Sequence, residues 1–187
     1  KIEHRIKAIF STTPQNIMIN ELVLKNKVLE LKVTSKDNEN LDLLKQSLNN
    51  IYQIVETKKL DEKQEINFEA IVVAKDELEL KDVVYGIFTK DYLQDELFDK
   101  ESINEQLKIL LPEHSIIKYI ETYNANKVEI FSFSVNTIIK EPKDLFNIFT
   151  NINSELYSIT ISKPILMKNT NLGIEVDFII EFNQLKN

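Results

Sequence analysis

The alternation of apolar and polar positions is clearest in the second half of the chain. A period of two, typical of strands with one buried face, runs through 128–139 and 174–182. Between them, Pro142 begins a segment whose apolar positions are three and four residues apart, which indicates an amphipathic helix. Those positions are Leu145, Ile148, Phe149, Ile152 and Leu156. Further strands at 116–123 and 157–168 complete a unit of two strands, one helix and two strands.

The first half repeats this order more weakly. Residues 17–24 and 28–35 predict a hairpin, and 52–60 and 66–73 predict two further strands. Apolar positions at helical spacing lie between the two pairs, at Leu41, Leu44, Leu48 and Ile51. The chain therefore contains an internal duplication.

A short amphipathic helix precedes each copy, at 1–11 and at 102–111. The spacing of apolar residues is the same in both helices, and each helix is followed by a proline, Pro14 or Pro112, which helps to end it. Each copy thus predicts the order α-β-β-α-β-β.

This order predicts an α+β fold class of two tandem ferredoxin-like domains, circularly permuted, each a four-stranded antiparallel sheet with two helices on one face. The predicted boundaries are domain 1 at 1–74, a linker at 75–100 and domain 2 at 101–187. The second and fourth strands of each copy should be central. Pro164, Lys58 and Lys59 fall in predicted edge strands, where proline and lysine are tolerated.

Composition and charge exclude several classes of function. The chain of 187 residues has a net charge of −7 and a pI near 5.0, and Arg5 is its only arginine. A basic nucleic-acid-binding surface is therefore not expected. The absence of cysteine excludes disulfides, thiolate catalysis and cysteine-based zinc sites. No apolar run is long enough to span a membrane. Because the chain begins at Lys1, we expect it to be the soluble part of a longer protein with a membrane anchor upstream.

The histidines and glycines do not form a recognisable site. His4 falls on the polar side of its helix, and His114 lies in a loop without a metal-ligand motif. The only two glycines, Gly86 and Gly173, are too few for a phosphate-binding loop.

Acidic residues are the only other candidates for chemistry, because a carboxylate pair can act as general acid and base. They cluster at Asp76, Glu77, Glu79 and Asp82, and at Asp95, Glu96, Asp99 and Glu101. Interleaved lysines indicate solvated surfaces. The sequence therefore predicts no enzyme, and no catalytic, cofactor-binding or metal-binding residues.

The apolar pattern resembles that of one family. In the first copy, Thr13-Pro14, Ile17-x-Ile19-x-x-Leu22-x-Leu24, Val28-Leu29-Glu30-Leu31 and Ile66-Asn67-Phe68-Glu69-Ala70 resemble the periplasmic domain of PilN-type proteins. The second copy is similar to the PilO type in 130–135, 145–152, 156–166 and 174–182. The family usually has one such domain per chain, so the tandem arrangement departs from it.

The resemblance implies a non-enzymatic scaffold in the inner-membrane assembly platform of type IV pili, type II secretion or DNA-uptake competence. The chain would be periplasmic and anchored in the membrane by an N-terminal segment. It would pair with homologous PilN/PilO-like subunits or with itself, and would need no cofactor, nucleic acid or small-molecule substrate. The alternative is a soluble ligand-binding or regulatory module of tandem ferredoxin-like domains.

Overall fold

The computed structural model describes residues 2–25, 27–60, 67–76, 98–155 and 159–185. Their helices and strands follow in the order α1 (Ile2–Thr12), β1 (Ile17–Leu24), β2 (Val28–Ser35), α2 (Asn38–Asn49), β3 (Ile54–Lys59), β4 (Phe68–Lys75), α3 (Lys100–Leu110), β5 (Ile116–Ala125), β6 (Val128–Ile139), α4 (Pro142–Glu155), β7 (Ile159–Thr170) and β8 (Gly173–Leu185). The predicted element order is confirmed, with boundaries within about three residues.

The predicted fold class is wrong. The described strands lie in one eight-stranded antiparallel sheet, ordered β3-β4-β2-β1-β7-β8-β6-β5, and not in two separate four-stranded ferredoxin-like sheets. β1 and β7, which were predicted to be edge strands, are neighbours in this sheet. The physical reason is that alternation identifies the buried face of a strand but not the strand beside it.

Two compact units share β7. One consists of Lys1–Asp82 with Leu166–Asn169, and the other of Val83–Ile165 with Thr170–Asn187. Within the first unit, the side chain of Asn169 donates a hydrogen bond to the carbonyl oxygen of Ile19 at 2.7 Å. The predicted linker, 75–100, falls largely on 77–97, outside the described residues, so it and the boundaries beside it stay predictions.

The core of the first unit follows the predicted apolar positions. α2 begins after Asp37, whose carboxylate accepts a hydrogen bond from the backbone N–H of Asn40 at 2.7 Å and so satisfies one free donor of the first turn. The fully buried isoleucine, leucine and valine side chains on its helices and strands are Ile6, Ile9, Leu22, Leu24, Leu29, Leu31, Val33, Leu44, Leu48 and Val72. Each such side chain contributes about 1.5 to 3 kcal/mol by leaving water.

The core of the second unit is aromatic. β6 pairs antiparallel with β8 along its whole length, and Phe131 lies opposite Phe182. Phe133 and Phe178 lie on the same face of these strands, together with Val135, Val176 and Ile180. The helices α3 and α4 contribute the buried side chains Ile103, Leu107 and Leu145. The predicted pattern of β8 is therefore confirmed.

No described helix is long and apolar enough to cross a membrane.

Both hairpins carry an irregularity at the same place. The register of β1 on β2 shifts between Ile19 and Glu21, and the register of β5 on β6 shifts between Tyr119 and Glu121. Each shift leaves one extra residue, which is the definition of a β-bulge. The residues on one face are therefore even-numbered before the bulge of β5 and odd-numbered after it.

Arg5 joins α1 to the end of β4. Its guanidinium donates a hydrogen bond to the carboxylate of Asp76 at 2.8 Å and lies 5.6 Å from the ring centroid of Tyr52. The Asp76 side chain is only 13% exposed. Burial raises the pKa of Tyr52, and the neighbouring Arg5 partly opposes this. The prediction that the acidic clusters are solvated is thus wrong for Asp76.

Asp76→Asn is expected to lower the free energy of unfolding by about 1 to 3 kcal/mol, because it removes the carboxylate charge from a sheltered, charge-assisted hydrogen bond. Urea unfolding followed by circular dichroism measures this. The matched control is Glu56→Gln, since Glu56 forms an exposed pair with Lys75 at 4.0 Å and should change the free energy by less than about 0.5 kcal/mol. Equal effects of the two variants would contradict the prediction.

Gly173→Ala is expected to destabilise the protein by about 2 kcal/mol or more. Gly173 has a φ of 133°, and a Cβ atom there would lie 2.6 Å from the carbonyl oxygen of Ile139. Thermal unfolding measures the loss. The neighbouring change Leu172→Ala is the control, because the Leu172 side chain is 81% exposed. A melting temperature of Gly173→Ala that equals that of the control would show the site to be unstrained.

Candidate interaction surface

The histidines and glycines singled out in the sequence do not meet in the described part of the chain. His114 is exposed in the turn before β5. The side chain of His4 and all of Gly86 lie outside the described residues, and Gly173 begins β8. Among the described residues, no three acidic or histidine side chains are grouped closely enough to hold a metal ion.

The described acidic residues of the second cluster have structural roles. Asp99 caps α3 by accepting a hydrogen bond from the backbone N–H of Ser102 at 2.8 Å. Hydrogen bonds from the side chain and the backbone of Ser102 lower the pKa of Asp99. Glu101 forms an exposed pair with Lys100 at 3.5 Å. The remaining predicted candidates lie outside the described residues: Glu77, Glu79, Asp82, Asp95 and Glu96.

The outer edge of β5 is apolar and is not covered by any strand in the described part of the chain. β5 ends the sheet beside β6, and none of the described strands pairs with its other edge. Four of its large apolar side chains are between 37 and 54% exposed: Ile116, Tyr119, Ile120 and Tyr123. An exposed apolar edge strand is a template for pairing with another chain.

β3, at the other end of the strand order, is different. It has six residues, and it ends with exposed Lys58 and Lys59, as predicted for an edge strand. Lysine disfavours strand addition because the charge would have to be desolvated or paired. β5 has ten residues and only one lysine, Lys118. Among the described strands, β3 therefore has an edge protected by lysine, whereas the edge of β5 has no such protection.

Tyr123 is held in place on one face of β5. Its hydroxyl donates a hydrogen bond to the carboxylate of Glu181 at 3.0 Å, and the hydroxyl of Thr160 lies 3.4 Å from the other oxygen of that carboxylate. Burial, followed by the hydrogen bond to Glu181, raises the pKa of Tyr123 to about 12. The hydroxyl is therefore a neutral donor at physiological pH, and the bond to Glu181 persists.

Tyr119 is held on the opposite face. Its ring packs edge-on against Phe133 with centroids 5.7 Å apart, and the ammonium group of Lys100 lies 5.3 Å from its centroid. Its hydroxyl is 2.9 Å from the hydroxyl of Thr122. Both tyrosines are thus fixed before any partner binds, which lowers the entropy lost on association.

Gln184 fixes the start of α3, the helix that packs beside β5. Its side-chain oxygen accepts from the backbone N–H of Phe98 at 3.0 Å, and its nitrogen donates to the carbonyl of Phe98 at 3.1 Å. The same nitrogen donates to Glu129 at 3.0 Å. The amide thus pairs with Phe98 as a neighbouring strand would. Sequence reasoning missed this contact, because 86 residues separate the two partners.

One signal in the sequence points to the open edge. The run Ile116-Ile117-Lys118-Tyr119-Ile120 has apolar residues on both faces of a strand that was predicted to lie at an edge. A strand that is wet on one face needs apolar residues only on the other. The excess of apolar residues can therefore be recognised from the sequence, but it does not identify a partner.

Comparison with known proteins gives no information about the function of this surface. No model of a protein family matches the chain, and no curated protein or solved structure matches it either. The resemblance to PilN-type and PilO-type proteins therefore stays a prediction based on apolar pattern.

Gln184→Met is expected to increase the exchange rate of the Phe98 backbone amide about tenfold or more, because the variant removes its hydrogen-bond acceptor. Amide hydrogen exchange measured by NMR tests this. Gln46→Met, an exposed glutamine on α2, is the control and should leave the amide unchanged. Unaltered exchange in Gln184→Met would mean that another group protects Phe98.

Proposed function

We propose that this chain is a non-enzymatic scaffold that acts by pairing with protein chains. The observation that supports this most strongly is the apolar and preordered edge of β5, beside which none of the described strands lies. Backbone pairing at such an edge provides affinity, and the alternating side chains provide specificity. In the two acidic clusters, the described Asp76 and Asp99 are engaged in an ion pair and a helix cap, which favours a structural role for both.

We propose further that the scaffold belongs to the inner-membrane assembly platform of a type IV pilus, type II secretion or DNA-uptake system. The support is the apolar pattern shared with PilN-type and PilO-type proteins, together with the α-β-β-α-β-β order that occurs twice in the chain. In this setting the described residues lie in the periplasm, and a segment outside the given sequence anchors them.

Membrane fractionation tests this setting directly. The native full-length protein would be expressed in its own cells or in a Gram-negative host, and protease would be added from the periplasmic side only. We expect the protein in the membrane fraction and the 1–187 portion cut from outside. A cytoplasmic marker that stays intact and a periplasmic marker that is cut are the controls. A soluble, protected protein would overturn the assembly-platform proposal, and stabilisation by small ligands would then be screened in thermal melts.

A further inference from the structure

We propose that β5 pairs antiparallel with β5 of a second copy of this chain, about a two-fold axis between Tyr119 and Ile120. In this register Ile116 lies opposite Tyr123, and Lys118 lies opposite Glu121. The inference names the partner for the scaffold role proposed above and rests on that proposal. It is supported by the residue pattern of β5 and by the bulge within that strand.

The bulge makes this register consistent with the two faces of the sheet. Opposite residues of paired strands must point to the same face. In a regular strand, residues 116 and 123 point to opposite faces because seven positions separate them. The register shift between Tyr119 and Glu121 restores the match: Ile116 is aligned with Asn136 and Tyr123 with Ile130, two positions on one face of β6. Lys118 and Glu121 share that face through Ser134 and Ser132.

Away from the central Tyr119 and Ile120, the pairs formed in this register complement each other in charge or in apolar contact. Lys118 meets Glu121 of the second copy twice, once on each side of the axis, and both residues are exposed in the single chain. Exposed Ile116 meets exposed Tyr123, which is an aliphatic–aromatic cross-strand pair. On the other face, Ile117 meets Thr122. A strand that complements itself in charge and in apolar contact fits a two-fold interface between identical chains.

The first unit shows that a bulged strand of this kind accepts a neighbour. β1 is the counterpart of β5 in the duplication and carries its own bulge between Ile19 and Glu21. Its outer edge lies beside β7, and residues 166–169 of that strand belong to the same compact unit as β1. Asn169 donates to the carbonyl of Ile19, directly before the bulge. The bulge of β5 is therefore no barrier to pairing.

A charge-reversal series tests the proposal on the purified 187-residue chain. Sedimentation velocity over a concentration series up to about 0.1 mM should show a monomer–dimer equilibrium. Lys118→Glu or Glu121→Lys alone places like charges opposite each other twice, so each should weaken dimerisation about tenfold. The double variant Lys118→Glu with Glu121→Lys restores opposite charges and should recover the wild-type dissociation constant. Lys58→Glu, on the β3 edge, is the control and should have no effect.

Disulfide trapping tests the register. The chain has no cysteine, so the double variant Ile116→Cys with Tyr123→Cys contains the only thiols. Within one copy these residues are too far apart along the strand to join. Mild oxidation should yield a covalent dimer. Ile116→Cys with Ala125→Cys, which corresponds to a register shifted by two residues, should yield little.

A chain that is monomeric throughout the concentration series would overturn the proposal, whether the edge is then used by a different protein or covered by residues 77–97. A dimer that all charge variants leave unchanged would also overturn it, because the interface would lie elsewhere. These measurements need no membrane. Their failure is therefore distinguishable from failure of the assembly-platform proposal, which the protease experiment tests alone.

Discussion

A β-strand carries backbone donors and acceptors on both sides, and the molecule is organised by how each side is satisfied. A strand inside the sheet has two neighbours, whereas an outer strand has one and exposes the rest to water or to another chain. In the described sheet, β1 and β7 are neighbours, although each was predicted to be an edge strand. Of the eight described strands, β3 and β5 are the two outer ones.

The order of helices and strands was accessible from sequence because it depends on local signals. Pro142 begins α4, and the alternation through 174–182 defines β8, as predicted. These signals act over a few residues, through backbone stereochemistry and the burial of one face. The same reasoning could not find which strands are neighbours. That choice depends on pairing between segments far apart in the chain, such as Ile19 and Asn169.

Contacts between polar side chains far apart in the chain were likewise not predictable from local sequence signals. From the sequence, Arg5 could be recognised only as the single arginine of an acidic chain. This argued against a nucleic-acid-binding surface but did not indicate that the side chain packs against another part of the chain. Its partner, Asp76, belonged to a cluster predicted to be solvated, yet the two side chains meet at 2.8 Å across 71 residues. Likewise, nothing local to Gln184 predicts that its amide pairs with Phe98. The open edge of β5 was partly accessible, because its excess of apolar residues is visible without a structure.

The difference between the two outer strands also bears on how far the protein can associate. A strand edge that accepts any neighbour, on a chain with a second open edge, would let one molecule add to the next without limit and give a fibre. Here Lys58 and Lys59 protect β3, so the apolar edge of β5 is the exposed one. In two molecules joined through β5, β3 would be the outer strand left among those described, and it carries Lys58 and Lys59. Lysine at that edge disfavours the addition of a further strand, so growth through the described strands would end at the pair.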